Sequence, residues 1–186
     1  MREVREVREV REVQIEPPRQ GEYAPAFERY VARVREVNDP LQELLVQRDR
    51  VLSRLSPLTD ERAAFRYAPE KWSVKEMIGH LADAERVFAY RLLRIGRGDT
   101  TPLPGFEEND YVRAARSDRR PFSDLLAEWS VVRDASSALA SSLPEPDWAN
   151  AGTCNGGPMT ARALLFIILG HTDHHLGVLA DRYGVR

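Results

Sequence analysis

The sequence of 186 residues predicts an all-α fold, a four-helix bundle. Four segments carry apolar residues at helical spacing, and no segment keeps the alternating apolar and polar pattern of a half-buried strand. Long loops rich in proline and glycine follow the second and third of these segments, an arrangement compatible with a bundle. The length suits one domain with a sizeable core.

Two of the four helices have clear start signals. Asp39 offers a capping side chain ahead of Pro40, and proline is favoured at the first position of a helix. Ser73 and Glu76 have the S-x-x-E spacing of a capping box, so the second helix is predicted to begin there and to end at about Gly96. Both signals stand immediately before apolar runs, which is where a helix is expected to begin.

The remaining segments complete the predicted bundle. A third helix is predicted to begin near Ser123 and to end before Pro144, and Thr160 is a candidate cap for the fourth. A short leader helix is predicted near the start of the chain, in the stretch YAPAFERYVARV that begins at Tyr23. Periodicity alone does not fix the order in which the helices pack.

The first residues form a low-complexity segment. Residues 2–13 read REVREVREVREV, and a three-residue repeat spreads its valines over about half the circumference of an α-helix, so no clean apolar face results. We expect residues 1–22 to be a REV-repeat tail and linker outside the fold, and residues 23–186 to be the bundle domain. The alternative is that the tail binds a partner.

Composition disfavours several classes of protein. Lys and Arg total 27 and Asp and Glu total 29, with both signs interspersed, whereas a nucleic-acid-binding protein normally carries a basic stripe. Cys154 is the one cysteine, so no internal disulfide is possible, which fits a reducing cytosol. No apolar run reaches the ~18 residues of a membrane span. We therefore expect a soluble cytoplasmic protein that binds neither nucleic acid nor membrane.

Three of the four histidines lie on the apolar faces of predicted helices. His171 and His175 are four residues apart in the apolar stripe of the last helix, and His80 lies one turn into the second. Imidazoles at i and i+4 point from successive turns at one place, the spacing used for zinc in helical sites. Three neutral imidazoles around zinc leave one position for water or substrate. The alternative is that each is a core histidine bonded to a carbonyl or a carboxylate.

Three segments resemble the DinB/YfiT-like family of metalloenzymes, which is unrelated to the DNA polymerase that shares the name DinB. They are KWSVKEMIGHLADAERVFAYRLLRIGRGD from Lys71, LPGFEENDYV from Leu103 and LFIILGHTDHHLGVL from Leu165. The resemblance extends from about Tyr23 to Tyr183 and implies a four-helix bundle with up-down-down-up connections. It also implies a homodimer.

The resemblance further implies a set of metal ligands. The family takes one histidine from the second helix and an H-x-x-x-H pair from the last, which correspond here to His80, His171 and His175, while His174 is not a ligand. The metal in relatives is usually zinc or nickel. Many relatives carry glutamine three residues after the last ligand, where this chain has Val178.

The resemblance implies an enzyme that acts on a small-molecule substrate. Characterised relatives include enzymes that use a low-molecular-weight thiol as nucleophile, so the expected function is a thiol-dependent transferase. A metal-dependent hydrolase and a non-catalytic, metal-stabilised stress or binding protein are the alternatives. Asp83 and Glu76, one turn either side of His80, are candidates to accept the free ring N–H of a ligand histidine.

Overall fold

The structure, a computed structural model, describes residues 14–186, so the REV repeat lies outside the described residues. Within this range the chain forms seven α-helices and one β-hairpin. The helices are α1 (Glu28–Val34), α2 (Pro40–Leu55), α3 (Asp60–Ala63), α4 (Val74–Gly96), α5 (Glu108–Ala115), α6 (Phe122–Ser141) and α7 (Ala161–Tyr183). The strands are β1 (Ala151–Cys154) and β2 (Gly157–Thr160), and 3-10 turns occupy Pro25–Phe27, Ser117–Arg119 and Glu145–Ala149.

The predicted helix starts are observed. The Asp39 carboxylate accepts the backbone N–H of Gln42 at 2.9 Å at the start of α2. Ser73 Oγ accepts the backbone N–H of Glu76 at 3.0 Å, and the Glu76 carboxylate accepts the backbone N–H of Ser73 at 3.0 Å. This capping box bonds N–H groups that the helix itself leaves free. It fixes where α4 begins, and with it the position of His80 near the N-terminal end of that helix.

The four long helices α2, α4, α6 and α7 form the bundle. Both α4 and α2 pack against α6 and α7, so α2 and α4 stand at opposite corners. One apolar cluster joins the C-terminal parts of α2 and α7 to the N-terminal parts of α4 and α6; its members include Val51, Met77, Leu125 and Leu179. A second cluster joins the opposite ends of the same helices. Hence α2 and α7 run one way and α4 and α6 the other, which confirms the up-down-down-up order.

Two segments predicted as loops contain regular structure. The segment after α4 contains α5, and the segment after α6 contains the hairpin, so the all-α prediction is confirmed apart from two short strands. The hairpin turns at Asn155 and Gly156, with φ of 50° and 75°, between the paired residues Cys154 and Gly157. Asn-Gly is favoured in such two-residue turns because both positions need positive φ. Strands of four residues are too short to show a clear alternation in sequence.

The leader helix α1 lies across α7 at a glycine. An ideal Cβ on Gly170 would stand 2.1 Å from the carbonyl oxygen of Tyr30, so a larger residue there would displace α1. Beside this contact the Arg33 guanidinium donates to the Asp173 carboxylate at 2.7 Å. The close approach lets the Tyr30 ring meet the His171 ring edge-on, with centroids 5.2 Å apart.

Residues 14–22, which were predicted to be part of the tail and linker, also contact the bundle. Ile15 is buried in the apolar cluster that contains the first half of α7. The Glu22 carboxylate accepts from Arg162 of α7 at 2.6 Å, and the Glu22 carbonyl accepts the backbone N–H of Thr160 at 2.9 Å. These contacts fasten the segment before α1 to the start of α7.

A buried polar network joins the four long helices. Arg133 of α6 is fully buried and donates to both carboxylate oxygens of Glu85 in α4, at 2.7 and 2.9 Å. The same guanidinium donates to Gln47 of α2 at 2.7 Å and to Thr172 of α7 at 2.9 Å. One side chain therefore bonds to a residue of each of the other three long helices. Since Thr172 follows His171, the network also fixes the part of α7 that carries the histidines.

Among the described helices, α7 is the one long and apolar enough to cross a membrane by length and composition. However, 72% of its most apolar window is buried inside the bundle, as expected for a core helix. Most of the apolar surface of α7 is therefore covered by other parts of the same chain.

Candidate metal centre

Three buried histidines from two helices meet inside the bundle. His80 comes from α4, and His171 and His175 come from successive turns of α7. One ring nitrogen of each lies within 4.8 Å of the others, and Nε2 of His80 is 3.0 Å from Nε2 of His171. The antiparallel packing of α4 on α7 brings the start of one helix beside the middle of the other. The structure thus places together the three histidines that were predicted as ligands.

The three imidazoles are shielded from water, and burial keeps them neutral. Their exposed fractions are 6% for His80, 5% for His171 and 8% for His175. Burial lowers the pKa of His80 to about 4. Burial, with a smaller contribution from the neighbouring imidazoles, lowers the pKa of His171 and of His175 well below its usual value. A neutral imidazole keeps a lone pair that a cation can use, so all three are potential ligands at neutral pH.

The residues present fit a metal ion. Nδ1 of His175 is buried and has no hydrogen-bond partner among the described residues. Buried polar atoms are nearly always bonded, and leaving one unbonded costs about 1–3 kcal/mol. Nε2 of His80 and Nε2 of His171 are 3.0 Å apart, so one of these rings can donate to the other, whereas Nδ1 of His175 has no such partner among the described residues. Imidazole nitrogens are suitable ligands for divalent transition metals such as zinc, nickel, copper and iron.

Aromatic rings hold the histidines in place. The centroid of the Trp72 ring lies 4.7 Å from that of the His80 ring. The Trp72 ring also stacks on the His175 ring, with a centroid distance of 6.4 Å and an angle of 20° between the two planes. Phe88 meets the His171 ring edge-on at 5.5 Å, on the same ring that Tyr30 contacts. Rings packed in this way cannot rotate freely, so the directions of the nitrogens are set by the core.

A cavity of about 350 Å³ opens against the three histidines. This volume is in the range of small-molecule sites, about 300–1,000 Å³. Five aromatic residues form much of its wall: Phe27, Tyr30, Trp72, Phe88 and Phe106. Its polar side chains, besides the three histidines, are Arg29, Arg91, Glu108, Asn155 and His174. The cavity thus combines an aromatic wall with several polar and charged side chains, which suits a small organic molecule that carries polar groups.

The two carboxylates predicted to orient a ligand histidine have other partners. Asp83 accepts from Arg86 at 3.2 Å, and Glu76 is used by the capping box and by an ion pair with Arg66. Within residues 14–186 neither carboxylate hydrogen-bonds to a histidine. Both lie one turn from His80, but that spacing does not decide which of several neighbours a flexible carboxylate selects.

Two further residues lie near the site without joining the cluster of three. His174 is half-buried and lines the cavity, with its ring 5.1 Å from the His175 ring. It is not one of the three clustered histidines, as the resemblance implied. Cys154 is buried in β1 and is also outside the cluster.

A sequence profile of the DinB superfamily matches residues 43–179, a range that contains all three clustered histidines. No curated protein matches the chain in sequence. Among solved structures, the chain is similar to YfiT from Bacillus subtilis, described as a probable metal-dependent hydrolase with an unusual four-helix bundle topology. The two are 19% identical with a TM-score of 0.67, and the alignment covers 79% of this chain and 87% of YfiT.

The chain is also similar in structure to a mycothiol-dependent maleylpyruvate isomerase. The identity is 14% and the TM-score is 0.64, with 78% of this chain aligned. The aligned part spans 60% of the isomerase. At these identities the two structures share a fold with this chain, and the likeness carries no reaction by itself.

Proposed function

The chain belongs to the DinB superfamily, and we propose that it is a metal-dependent enzyme acting on small molecules, with His80, His171 and His175 as the metal ligands. The observation that carries the proposal is the cluster of three neutral, buried imidazoles against an open cavity. Zinc or nickel suits this donor set. Three protein ligands leave a tetrahedral ion one position for another molecule, which is the pattern of catalytic sites.

The reaction we propose is the transfer of an organic group to or from the sulfur atom of a low-molecular-weight thiol. When bound, a divalent cation stabilises the thiolate form of a sulfur ligand at neutral pH. The chain's own residues bind the second substrate, because the aromatic wall excludes water and packs against an organic molecule. Arg29 adds positive charge that favours an anionic nucleophile in the cavity. The mycothiol dependence stated for one structural neighbour supports this reaction class.

Hydrolysis is the second candidate, because YfiT is described as a probable metal-dependent hydrolase. Activation of water is helped by a nearby proton acceptor, usually a carboxylate or a histidine. Glu108 is the one carboxylate among the described residues that line the cavity, and it is exposed. A thiol, with an ordinary pKa of about 8.5, needs less help to lose its proton than water does. His174 also lines the cavity and is a second candidate acceptor, so thiol transfer is preferred over hydrolysis only because a thiol loses its proton more easily than water does.

Titration of cobalt-loaded protein with mycothiol, bacillithiol and glutathione tests the reaction class. We expect one of these thiols to produce a thiolate-to-cobalt charge-transfer band in the wild-type protein. The band should be lost in His80→Ala and kept in His174→Ala, because His174 lies beside the cluster but outside it. Stoichiometric cobalt with no response to any thiol would contradict thiol transfer and leave hydrolysis or a structural metal.

A further inference from the structure

A buried arginine without an acidic partner lines the cavity. Arg91 of α4 is 3% exposed, and its guanidinium donates to the carbonyl oxygen of Pro104 at 2.6 Å. No carboxylate among residues 14–186 forms an ion pair with it. Arginine stays protonated in proteins, so a full positive charge stands here inside the structure.

The other buried cations of the described chain are neutralised. Arg133 pairs with Glu85 at 2.7 Å, and Lys75 pairs with Asp60 at 2.9 Å. Taking a charge out of water is costly unless an opposite charge accompanies it. Arg91 is therefore the exception among the buried cations of residues 14–186, and it is the one that borders the cavity.

Two nearby groups do not supply the missing negative charge. Burial raises the pKa of the Cys154 thiol, against a smaller opposing effect of Arg91, so this thiol is neutral at neutral pH. Glu108 lines the cavity but is exposed and forms no ion pair with Arg91. A molecule that enters the cavity can therefore supply the negative charge that the described residues do not.

Arg91 and the histidines face a common aromatic wall. The guanidinium carbon of Arg91 is 6.0 Å from the centroid of the Phe88 ring and 5.9 Å from that of Phe106. The Phe88 ring in turn lies 5.5 Å from the His171 ring. A molecule whose negative end pairs with Arg91 can therefore pack its body against Phe88 and reach the histidines with its other end.

We propose that the substrate is a small organic carboxylate and that Arg91 binds its carboxylate group. The identification of the cavity as the substrate site rests on the proposed function. A guanidinium offers two parallel N–H donors that match a carboxylate, which gives orientation as well as affinity. Arg91 thereby selects anionic substrates over neutral ones of the same shape, and it directs the apolar part of the substrate toward His80, His171 and His175.

Calorimetric titration with benzoate and with its neutral isostere benzamide tests this selectivity. The full-length chain is used both as purified and after removal of metal by chelation. We expect the wild-type protein to prefer benzoate in both samples, and Arg91→Gln to bind benzoate at least about tenfold more weakly with little change for benzamide. The affinity of Arg91→Lys for benzoate should lie between those of the wild type and Arg91→Gln. Lysine keeps the positive charge but lacks the planar pair of N–H donors.

The matched control is Arg94→Gln, one turn further along α4, whose arginine pairs with Asp99 and does not line the cavity. It should bind both probes as the wild type does. A wild-type protein that does not distinguish benzoate from benzamide would overturn the proposal. So would an Arg91→Gln variant that keeps the preference, or one that loses both probes equally, which would mark Arg91 as an anchor of the loop through Pro104.

Failure of the proposed function gives a different result from failure of this inference. A chain that takes up no metal but still prefers benzoate through Arg91 would contradict the metal-dependent reaction and support the carboxylate site. A chain that takes up metal but binds benzoate equally well with Arg91→Gln would overturn the carboxylate site and leave the metal centre.

Discussion

His80, His171 and His175 illustrate at the scale of single residues how burial prepares a side chain for chemistry. The core that surrounds them removes water from all three rings and lowers their pKa values. The same effect keeps their lone pairs available for a cation at neutral pH. It also has a cost, because protonation of any of the three while it stays buried is unfavourable.

We therefore expect metal-free protein to lose stability as the pH falls from about 6.5 toward 4. The pKa of His80 is about 4 in the folded chain, against about 6.5 when unfolded, so the unfolded state binds more protons in this window. The free energy of unfolding then falls as the pH falls. Urea denaturation at several pH values measures the free energy of unfolding. In a His80→Leu variant this free energy should depend less steeply on pH. Equal slopes for both proteins would contradict the expectation.

Single residues also show where prediction from sequence stops. The trio was predictable because the spacing of His171 and His175 is local and because a known family shares the third position, His80. The hydrogen-bond partners of Asp83 and Glu76 could not be predicted, because each carboxylate bonds to residues that only the packed structure brings close. The sequence likewise could not predict that Arg91 lacks an ion pair, since this depends on which acidic residues the other elements place near it.

The contact between α1 and α7 is the feature at the scale of elements that most affects the site. It depends on Gly170, where the backbone of Tyr30 occupies the space of a side chain. Tyr30 in turn packs on His171 and lines the cavity. Displacement of α1 would therefore change the wall of the cavity as well as the stability of the fold.

Gly170→Ala is expected to destabilise the protein by about 1–3 kcal/mol, because its Cβ would overlap backbone atoms that cannot move without α1. Gly177→Ala, seven residues further on the same helix, is the control. Its Cβ would meet the far end of the flexible Arg33 side chain, at 2.8 Å, which can disturb only the partly exposed ion pair with Asp173, and alanine favours the helix. Thermal denaturation compares the two. A Gly170→Ala variant as stable as Gly177→Ala would show that α1 is not held by this contact.

Helices and strands whose ends are marked by residues close together in the sequence could be predicted. Those without such local marks could not. The starts of α2 and α4 were predicted because a cap is formed by residues within three positions of each other. The hairpin carried one signal, Asn155-Gly156, between strands too short for a pattern. Helix α5 stands in a segment whose proline and glycine content suggested a loop.

The Arg133 network acts at the scale of the whole molecule because it ties together the four long helices. The ion pair with Glu85 is fully buried, and two further bonds reach Gln47 and Thr172. A buried pair is not in itself strongly stabilising, because both charges have lost their water. Removal of one partner is costly, since the other charge then remains buried alone.

Arg133→Met is expected to lower the free energy of unfolding by about 3–5 kcal/mol. The double variant Arg133→Met/Glu85→Leu should recover part of this loss, because it removes the stranded carboxylate. Arg86→Met is the control: it breaks ion pairs with Glu128 and Asp83 in which the arginine side chain is 47% exposed, and it should cost less than about 1 kcal/mol. Urea denaturation provides the values. If Arg133→Met and Arg86→Met lost the same free energy of unfolding, Glu85 would not be a buried charge without a partner in Arg133→Met.

The order of the helices is a property of the whole molecule that periodicity could not supply. Four amphipathic segments are compatible with several bundle topologies, and the up-down-down-up prediction came from resemblance to a family. The structure gives its physical basis, since the start of α4 lies beside the start of α6 and the end of α7. That arrangement is what brings His80 to His171 and His175.

Elemental analysis of untagged, full-length protein after loading with zinc or nickel tests the claim that His80, His171 and His175 bind one metal ion. We predict one ion per chain in the wild type and in His174→Ala, and loss of the ion in His80→Ala and in the His171→Ala/His175→Ala double variant. Circular dichroism confirms that each variant is folded. A wild-type protein that retains no metal after loading, or a folded His80→Ala variant that retains a full equivalent, would contradict the claim.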